Sequence, residues 1–365
     1  MKKKYFIYLI LIILLLSFSL NTTAQNLKIH FIDVGQGDAI LIEATAGQKI
    51  LVDGGDRKNK ITKNLIDYLK KQNIKKLDYL VSTHPHADHI GGLAAVIDNF
   101  EVKTVLDSGK VHTSKTYENY LLKIDQNQID FQTPRQGDLI KLGKTKLRFL
   151  HPEVENNNYD LNNSSLVFVL EFGKHKFLFT GDIEKEVEKK LLKAYPNLKV
   201  TLVKAAHHGS KSSSFPALIQ SLEPELVVIQ VGADNKYGHP AAKVLKLYQK
   251  LNAKVYRNDL NGNLVLTSNG NNYTVKVEKN IKKNIQNQNS KQKINKKVKT
   301  SKELINLNTA SVQDLTNLWG VGPATAAKII KYRQQNGPFT QIEQIKKVKG
   351  ISNTKFKKWQ DKITI

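Results

Sequence analysis

The chain has 365 residues, a length that argues against a single compact core and fits one large domain with a small companion, or two medium ones. With 40% apolar residues and a mean hydropathy of -0.40, it is excluded from the multi-span membrane proteins and from the wholly disordered chains. A balance of 57 basic against 32 acidic residues gives a net charge of +25 and points to a polyanionic partner, while the lack of Cys excludes disulfide scaffolds and thiolate chemistry, so that any metal must rest on His, Asp or Glu.

In chain order, residues 1–24 join Lys2, Lys3 and Lys4 to an apolar run and a small, polar end, the pattern of a signal peptide or an N-terminal membrane anchor. Either reading sends the remainder across a membrane, so a secreted or cell-surface location is expected. Residues 25–278 alternate strand-like runs (27–33, 39–44, 49–53, 77–83, 145–150, 166–172, 176–180, 200–205, 225–231, 273–277) with helical patterns at 62–71, 184–194 and 241–251. Turn residues at Gly35-Gln36-Gly37 and Ala46-Gly47 make the early strands hairpins, which favours an α/β sandwich of mixed sheets over a doubly wound parallel sheet. Residues 279–302 hold nine lysines, no acid and little apolar content, the composition of a flexible linker. In 303–365 a helix over 311–318 and another over 324–335 flank Trp319-Gly320-Val321-Gly322-Pro323. The glycines permit close backbone approach and Pro323 opens a helix whose free N–H groups suit an anion.

The densest chemical signal is His84-Pro85-His86-Ala87-Asp88-His89, four ligand types within six residues at the exit of a strand. On an extended segment His84 and His86 project to one side while Asp88 and His89 come around the turn, so the group can face two metal ions. Two divalent ions roughly 3.5–4 Å apart would bring a shared water toward hydroxide at neutral pH and take charge from a phosphoryl oxygen, so neither Ser nor Cys is needed as nucleophile. Asp88 is the carboxylate read as doubling as a proton carrier. Asp33, Asp38 and Asp53, on strand ends, are read as residues that orient imidazoles or make turns. His239, in Gly238-His239-Pro240, could donate a hydrogen bond to a phosphate or a proton to a leaving alkoxide, or simply pack a turn.

The histidine segment resembles the metal-binding signature of the metallo-β-lactamase superfamily, which implies an αββα sandwich. That resemblance directs attention to Asp182, in Phe179-Thr180-Gly181-Asp182, as a carboxylate bridging two metals, and to His207 and His208 as alternatives for a second-metal ligand. Phe31-Ile32-Asp33-Val34-Gly35-Gln36-Gly37-Asp38, Val52-Asp53-Gly54-Gly55, Ala206-His207-His208-Gly209-Ser210 and Tyr237-Gly238-His239-Pro240 together resemble the ComEC-type competence nucleases. That branch has a polar stretch, here Asn162-Asn163-Ser164-Ser165, in place of one site-one histidine, so Asn163 is the implied substitute, with His151 the only histidine nearby in sequence. The implied cofactors are two divalent ions, Zn²⁺ or Mn²⁺, with no organic cofactor.

Residues 306–365, with a second hairpin at Val348-Lys349-Gly350-Ile351, resemble ComEA-type helix-hairpin-helix DNA-binding domains, which are small and all-α. The implied DNA contacts are Gly320, Val321, Gly322, Lys328, Lys349 and Gly350, phosphate contacts that do not read sequence. Ser352 stands where the pattern has Gly. The expectation is an exported, metal-dependent DNase of low sequence specificity whose partner is DNA. The alternatives are a hydrolase of another phosphodiester (such as phosphocholine) or of a lactam, and a non-catalytic DNA-uptake protein.

Overall fold

The computed structural model describes residues 26–153, 158–233, 235–279 and 304–365. The expected export segment 1–24 and all of the expected linker beyond Lys279 lie outside the described residues. Two compact units are separated between Ile285 and Gln286.

The larger unit contains β1 (Leu27–Phe31), β2 (Ile40–Glu43), β3 (Lys49–Val52), β4 (Lys76–Ser82), β5 (Glu101–Asp107), β6 (Asp130–Gln132), β7 (Leu139–Leu142), β8 (Thr145–His151), β9 (Val167–Phe172), β10 (His175–Phe179), β11 (Leu202–Lys204), β12 (Leu226–Ile229), β13 (Lys254–Arg257), β14 (Leu264–Ser268) and β15 (Tyr273–Val277). One sheet runs β15-β14-β1-β2-β3-β4-β5-β6 and the other β13-β12-β11-β10-β9-β8-β7. As the turn signals predict, β1, β2 and β3 are antiparallel neighbours; β3 to β6 and β10 to β13 then pair in parallel, with helices crossing over the outer faces.

Period-two alternation assigns each strand to two cores. On β9, Phe168, Leu170 and Phe172 face the space between the sheets while Val167 and Val169 face outward. On β2, Ile40 and Ile42 point inward and Leu41 outward. The outer face of the first sheet is covered by helices Asn59–Lys71, Leu93–Asn99 and Lys115–Gln126, and that of the second by Lys185–Ala194, Pro216–Leu222 and Ala242–Lys250. The four layers are the expected αββα sandwich. Among the described residues no helix is long and apolar enough to cross a membrane.

The smaller unit packs helices Val312–Leu315, Pro323–Asn336 and Asn353–Trp359 around Leu307, Leu315, Ile329, Ile345 and Trp359. It is helical as expected, with one addition: β16 (Ile305–Asn306) and β17 (Ile363–Thr364) form a parallel ladder that ties its two ends. The helix expected over 311–318 is a shorter turn, because Ser311 and Asp314 close a capping box at its start and Leu318 already enters the hairpin.

Phe168 is fully buried and stacks on Phe179 with ring centroids 4.8 Å apart between the sheets. Phe168→Ala should lower unfolding free energy by about 3–5 kcal/mol, measured by urea denaturation, whereas Phe131→Ala, at a half-exposed position, should stay within about 0.5 kcal/mol.

Candidate metal centre and DNA-binding hairpins

The site is assembled where strands of both sheets end. β4 runs out at Ser82 into an extended stretch, and His86 caps the short helix Ala87–Ile90, which carries Asp88 and His89. His84 Nε2 and His86 Nδ1 converge to 3.0 Å. From the second sheet, β10 ends in Thr180-Gly181-Asp182; Gly181 is left-handed (φ 50°), and a Cβ there would stand 2.7 Å from that of Ser165. Glu184, not Asp182, occupies the cap of helix Lys185–Ala194, so Asp182 faces the site. β11 leads into a tight turn in which His207 (φ 49°) and His208 (φ 53°) are both left-handed, as is Asp53 (φ 57°) after β3. Three non-glycine residues in that region at one edge mark stored strain, held at His208 by its hydrogen bond to the Gln230 carbonyl.

Asp182 is the hub. Its Oδ2 lies 3.3 Å from His89 Nε2, 3.3 Å from His208 Nε2 and 3.9 Å from His207 Nε2, and His208 Nε2 lies 3.4 Å from Asp88 Oδ2. The opposite ring nitrogens are held: His89 Nδ1 donates to Asp53 Oδ2 at 2.8 Å and His208 Nδ1 to the Gln230 carbonyl at 2.9 Å. With Nδ1 held from outside, each Nε2 points inward, where it offers a lone pair once a cation displaces its proton. His89 Nε2, His208 Nε2, Asp182 Oδ1 and Asp38 Oδ1 are all buried without a hydrogen-bond partner, the condition a bound cation would satisfy. His84, His89 and Asp182, and likewise Asp88, His89 and His208, bring ligand atoms within 4.8 Å of one another. This oxygen and imidazole set fits divalent metal, and Asp182 also groups with Asp38 and His208.

Electrostatics agree. Burial alone would lower His89 and His208, yet Asp182, with Asp53 at the first and Asp38 and Asp88 at the second, holds both well above their ordinary range. The cage is a place for positive charge. Burial keeps His84 and His86 below theirs, which favours the neutral, ligating form of each ring. Against the effect of its own burial, Asp88 is held well below the carboxylate range by His208 and His89. A carboxylate held ionised is suited to ligation.

His208 projects into the cage while His207 lies at its rim, 23% exposed, with Nδ1 3.1 Å from Glu184 Oε1. His239 stands beside it, ring centroids 5.6 Å apart. A cavity of about 230 Å³ is lined by His86, Asp88, Asp182, His207, His208 and His239. Asn163 is not available as the site-one substitute: its Oδ1 accepts from the Glu184 N–H at 2.9 Å and its Nδ2 donates to Asp160 at 3.1 Å. The amide beside His86 is that of Asn162, whose Oδ1 is buried without a hydrogen-bond partner. His151 also turns away, donating from Nε2 to the Asn163 carbonyl at 2.7 Å. Asp53 orients His89 as expected, Asp38 Oδ1 lies 3.4 Å from His208 Nδ1, which Gln230 holds, and Asp33 makes a turn by accepting from the Gly35 N–H.

Sequence reasoning missed Lys204. It is fully buried, its ammonium pairing with Asp38, donating to the Gly181 carbonyl at 3.1 Å and lying 3.6 Å from Asp182 Oδ1. A lysine inside the apolar run Leu202-Val203-Lys204-Ala205 was the available signal.

In the smaller unit the two hairpins share one geometry. Val321 N–H donates to Leu318 O at 3.0 Å and Ile351 N–H to Val348 O at 3.1 Å, with Gly320 (φ 74°) and Gly350 (φ 102°) at the left-handed corner. Gly322 (φ -94°) and Ser352 (φ -88°) are the helix caps, and neither needs glycine's freedom. Ser352 therefore keeps the turn, although its Oγ takes the Lys355 N–H at 3.3 Å. Gly320, Gly322, Lys328, Lys349 and Gly350 are exposed. Val321 is not: its side chain is buried in the core and its N–H is spent on Leu318. Lys355, unnoticed in the sequence, donates to the Gly350 carbonyl at 3.2 Å, and its Cε would lie 3.5 Å from a Cβ on Gly320, so it stands between the two turns.

Family models match residues 32–232 as the metallo-β-lactamase superfamily and residues 300–364 as a helix-hairpin-helix motif. The chain is 33% identical over 253 residues to ComE operon protein 3 of Bacillus subtilis (65% of this chain, 32% of that one) and 29% identical over 233 residues to competence protein ComA of Neisseria gonorrhoeae (64% and 31%). The chain thus spans about a third of the length of these relatives. Over 62 residues it is 47% identical to ComE operon protein 1 of Bacillus subtilis, covering 17% of this chain and 30% of that one. Among solved structures, the metallo-β-lactamase fold protein YhfI from Bacillus subtilis aligns at a TM-score of 0.43 and 11% identity, over 64% of this chain and 96% of that one. The histidine and aspartate cage at the strand ends and the family match over the same residues agree: the chain belongs to the metallo-β-lactamase superfamily, with ComEC-like competence relatives, and carries a helix-hairpin-helix motif at its C-terminal end.

Proposed function

We propose that the chain is an exported, metal-dependent deoxyribonuclease of low sequence specificity. The observation that carries this reading is the union, in one chain of net charge +25, of a buried cage that fits divalent metal with a pair of hairpins suited to phosphate. His84, His86 and Asp182 would hold one ion and Asp88, His89, His208 and Asp182 the other, Zn²⁺ or Mn²⁺, with Asn162 beside the first. When bound, such a pair supplies a nucleophile from water at neutral pH and draws charge from a phosphoryl oxygen. Asp53 and Gln230 fix the rings of His89 and His208 by their outer nitrogens. His207 and His239 face the same cavity as the cage, where they contact the phosphate. His239 is pushed down to about 4 by burial and by the neighbouring imidazoles of His207 and His208, so it acts as a neutral hydrogen-bond donor and not as an imidazolium acid. The hairpins hold the DNA by its backbone, and the nine lysines of 279–302 add counter-charge.

Purified protein should cleave linear DNA, lose that activity in EDTA and recover it with Zn²⁺ or Mn²⁺, and leave a β-lactam and a phosphocholine ester untouched; turnover of either ester or lactam in place of DNA would overturn the reading. His208→Ala should retain about half the bound metal by elemental analysis.

Because His239 titrates near 4, it keeps one charge state from about pH 5 upward. The kcat/KM profile of His239→Gln should therefore keep the wild-type shape, while His239→Ala loses roughly 10- to 100-fold in height. A limb that disappears in His239→Gln would contradict the neutral role.

Deleting 303–365 should raise KM for long DNA more than it lowers kcat, and should flatten the dependence of KM on salt. Steady-state kinetics across a salt series check this, and an equal loss in kcat and KM would count against the division of labour.

A further inference from the structure

Beside the cage lies a larger cavity of about 770 Å³, and Gln36, Asp88 and Tyr237 line both. It is lined by Lys58, Lys60, Lys236 and Lys279 and by the carboxylates of Asp33, Asp56, Asp88 and Asp259, the last of which pairs with Arg257. Lys58 pairs with Asp56 at 3.0 Å and Lys279 with Asp33 at 3.7 Å, while Lys60 and Lys236 are exposed and have no carboxylate partner among the described residues. Tyr237 forms the wall between the two cavities.

Tyr237 is 71% exposed, a costly place for an aromatic ring, yet it is held firmly. One face stacks on His239, centroids 5.8 Å apart and planes 18° from parallel. The loop that carries both is tied by Asn235, whose Nδ2 donates to the Gly232 and His239 carbonyls at 2.8 Å and whose Oδ1 accepts from the His239 N–H at 3.0 Å. Nothing in the fold requires that ring, since its burial stabilises nothing. What the arrangement offers is a flat π surface fixed next to the cage, with lysines beyond it.

We infer that the larger cavity takes the nucleotide next to the scissile phosphate, its base stacked on the outer face of Tyr237 and its further phosphate held by Lys60 and Lys236. This rests on the nuclease reading and adds the substrate class. In a duplex the face of each base is covered by its neighbours, so a base on Tyr237 must be unpaired, and the site selects single-stranded DNA or a frayed end.

The test compares full-length wild type with Tyr237→Ala and Tyr237→Trp on a single-stranded oligonucleotide, its duplex, and the same strand with abasic residues. A parallel titration follows the fluorescence of a single strand containing 2-aminopurine, with the metals removed by EDTA. Tyr237→Ala should raise KM on the normal single strand roughly 5- to 150-fold with kcat nearly kept, Tyr237→Trp should hold it, and the abasic strand should show no difference between variants. The 2-aminopurine quenching should vanish in Tyr237→Ala. If DNA is cut and Tyr237→Ala changes neither KM nor quenching, the stacking site is wrong and the nuclease reading survives. If quenching depends on Tyr237 but no DNA is cut, the site stands and the nuclease reading falls. An equal rise in KM on the duplex or on the abasic strand would remove the unpaired base from the account.

Discussion

Three fully buried carboxylates, those of Asp38, Asp53 and Asp182, stand together at one edge of the sandwich, and everything around them answers that concentration of negative charge. An ionised carboxylate left alone in a protein interior costs several kcal/mol, roughly, even after relaxation. Lys204 offsets part of it from inside the second sheet, and the imidazoles of His89 and His208 offset more. Both imidazoles also present an unpartnered nitrogen to the centre, and Asp182 and Asp38 each keep an oxygen without a hydrogen bond. Polar atoms that point inward without spending their hydrogen bonds on one another are what distinguishes a ligand cage from a structural ion-pair network.

The cage demands a backbone that ordinary strand ends do not supply. Asp53, His207 and His208 adopt left-handed conformations that cost of order 1–2 kcal/mol each for a side-chain-bearing residue. The close approach of Gly37 to Asp88, where a Cβ would stand 2.1 Å from the Asp88 carbonyl, lets the 33–38 loop brace the histidine-bearing helix through the Asp38 N–H. Two double-faced sheets buried from both sides make that bracing rigid enough to hold the strain.

The sequence made the sandwich legible because its signals were local: the alternation on β9, the glycine turns among β1, β2 and β3, and a ligand cluster packed into six residues. It was silent where a choice depends on which way a side chain turns. Asn162 and Asn163 are adjacent and chemically identical, and only the fold commits one to Asp160 and Glu184 and leaves the other beside His86. His207 and His208 likewise differ only once the left-handed turn sends one ring inward and the other to the rim. Val321 shows the same limit in the hairpin, where a residue within the phosphate-binding motif is the core plug that holds the motif in shape. Ser352 departs from a glycine pattern without harm, because its φ of -88° is open to any residue.

The charge layout gives the two units different tasks. Asp88 and Asp182 line the cavity that the proposed substrate's phosphate would enter, and cations bound beside them would strengthen its attraction at this edge by simple Coulomb interaction. The hairpins carry no such condition. Their exposed lysines face solvent beside Gly320 and Gly350, with Lys355 between the turns, and need no metal to attract a polyanion. Under the proposed function, a chain built this way captures DNA through one unit whether or not metal is bound and hydrolyses it at the other only once metal is bound, without any moving part.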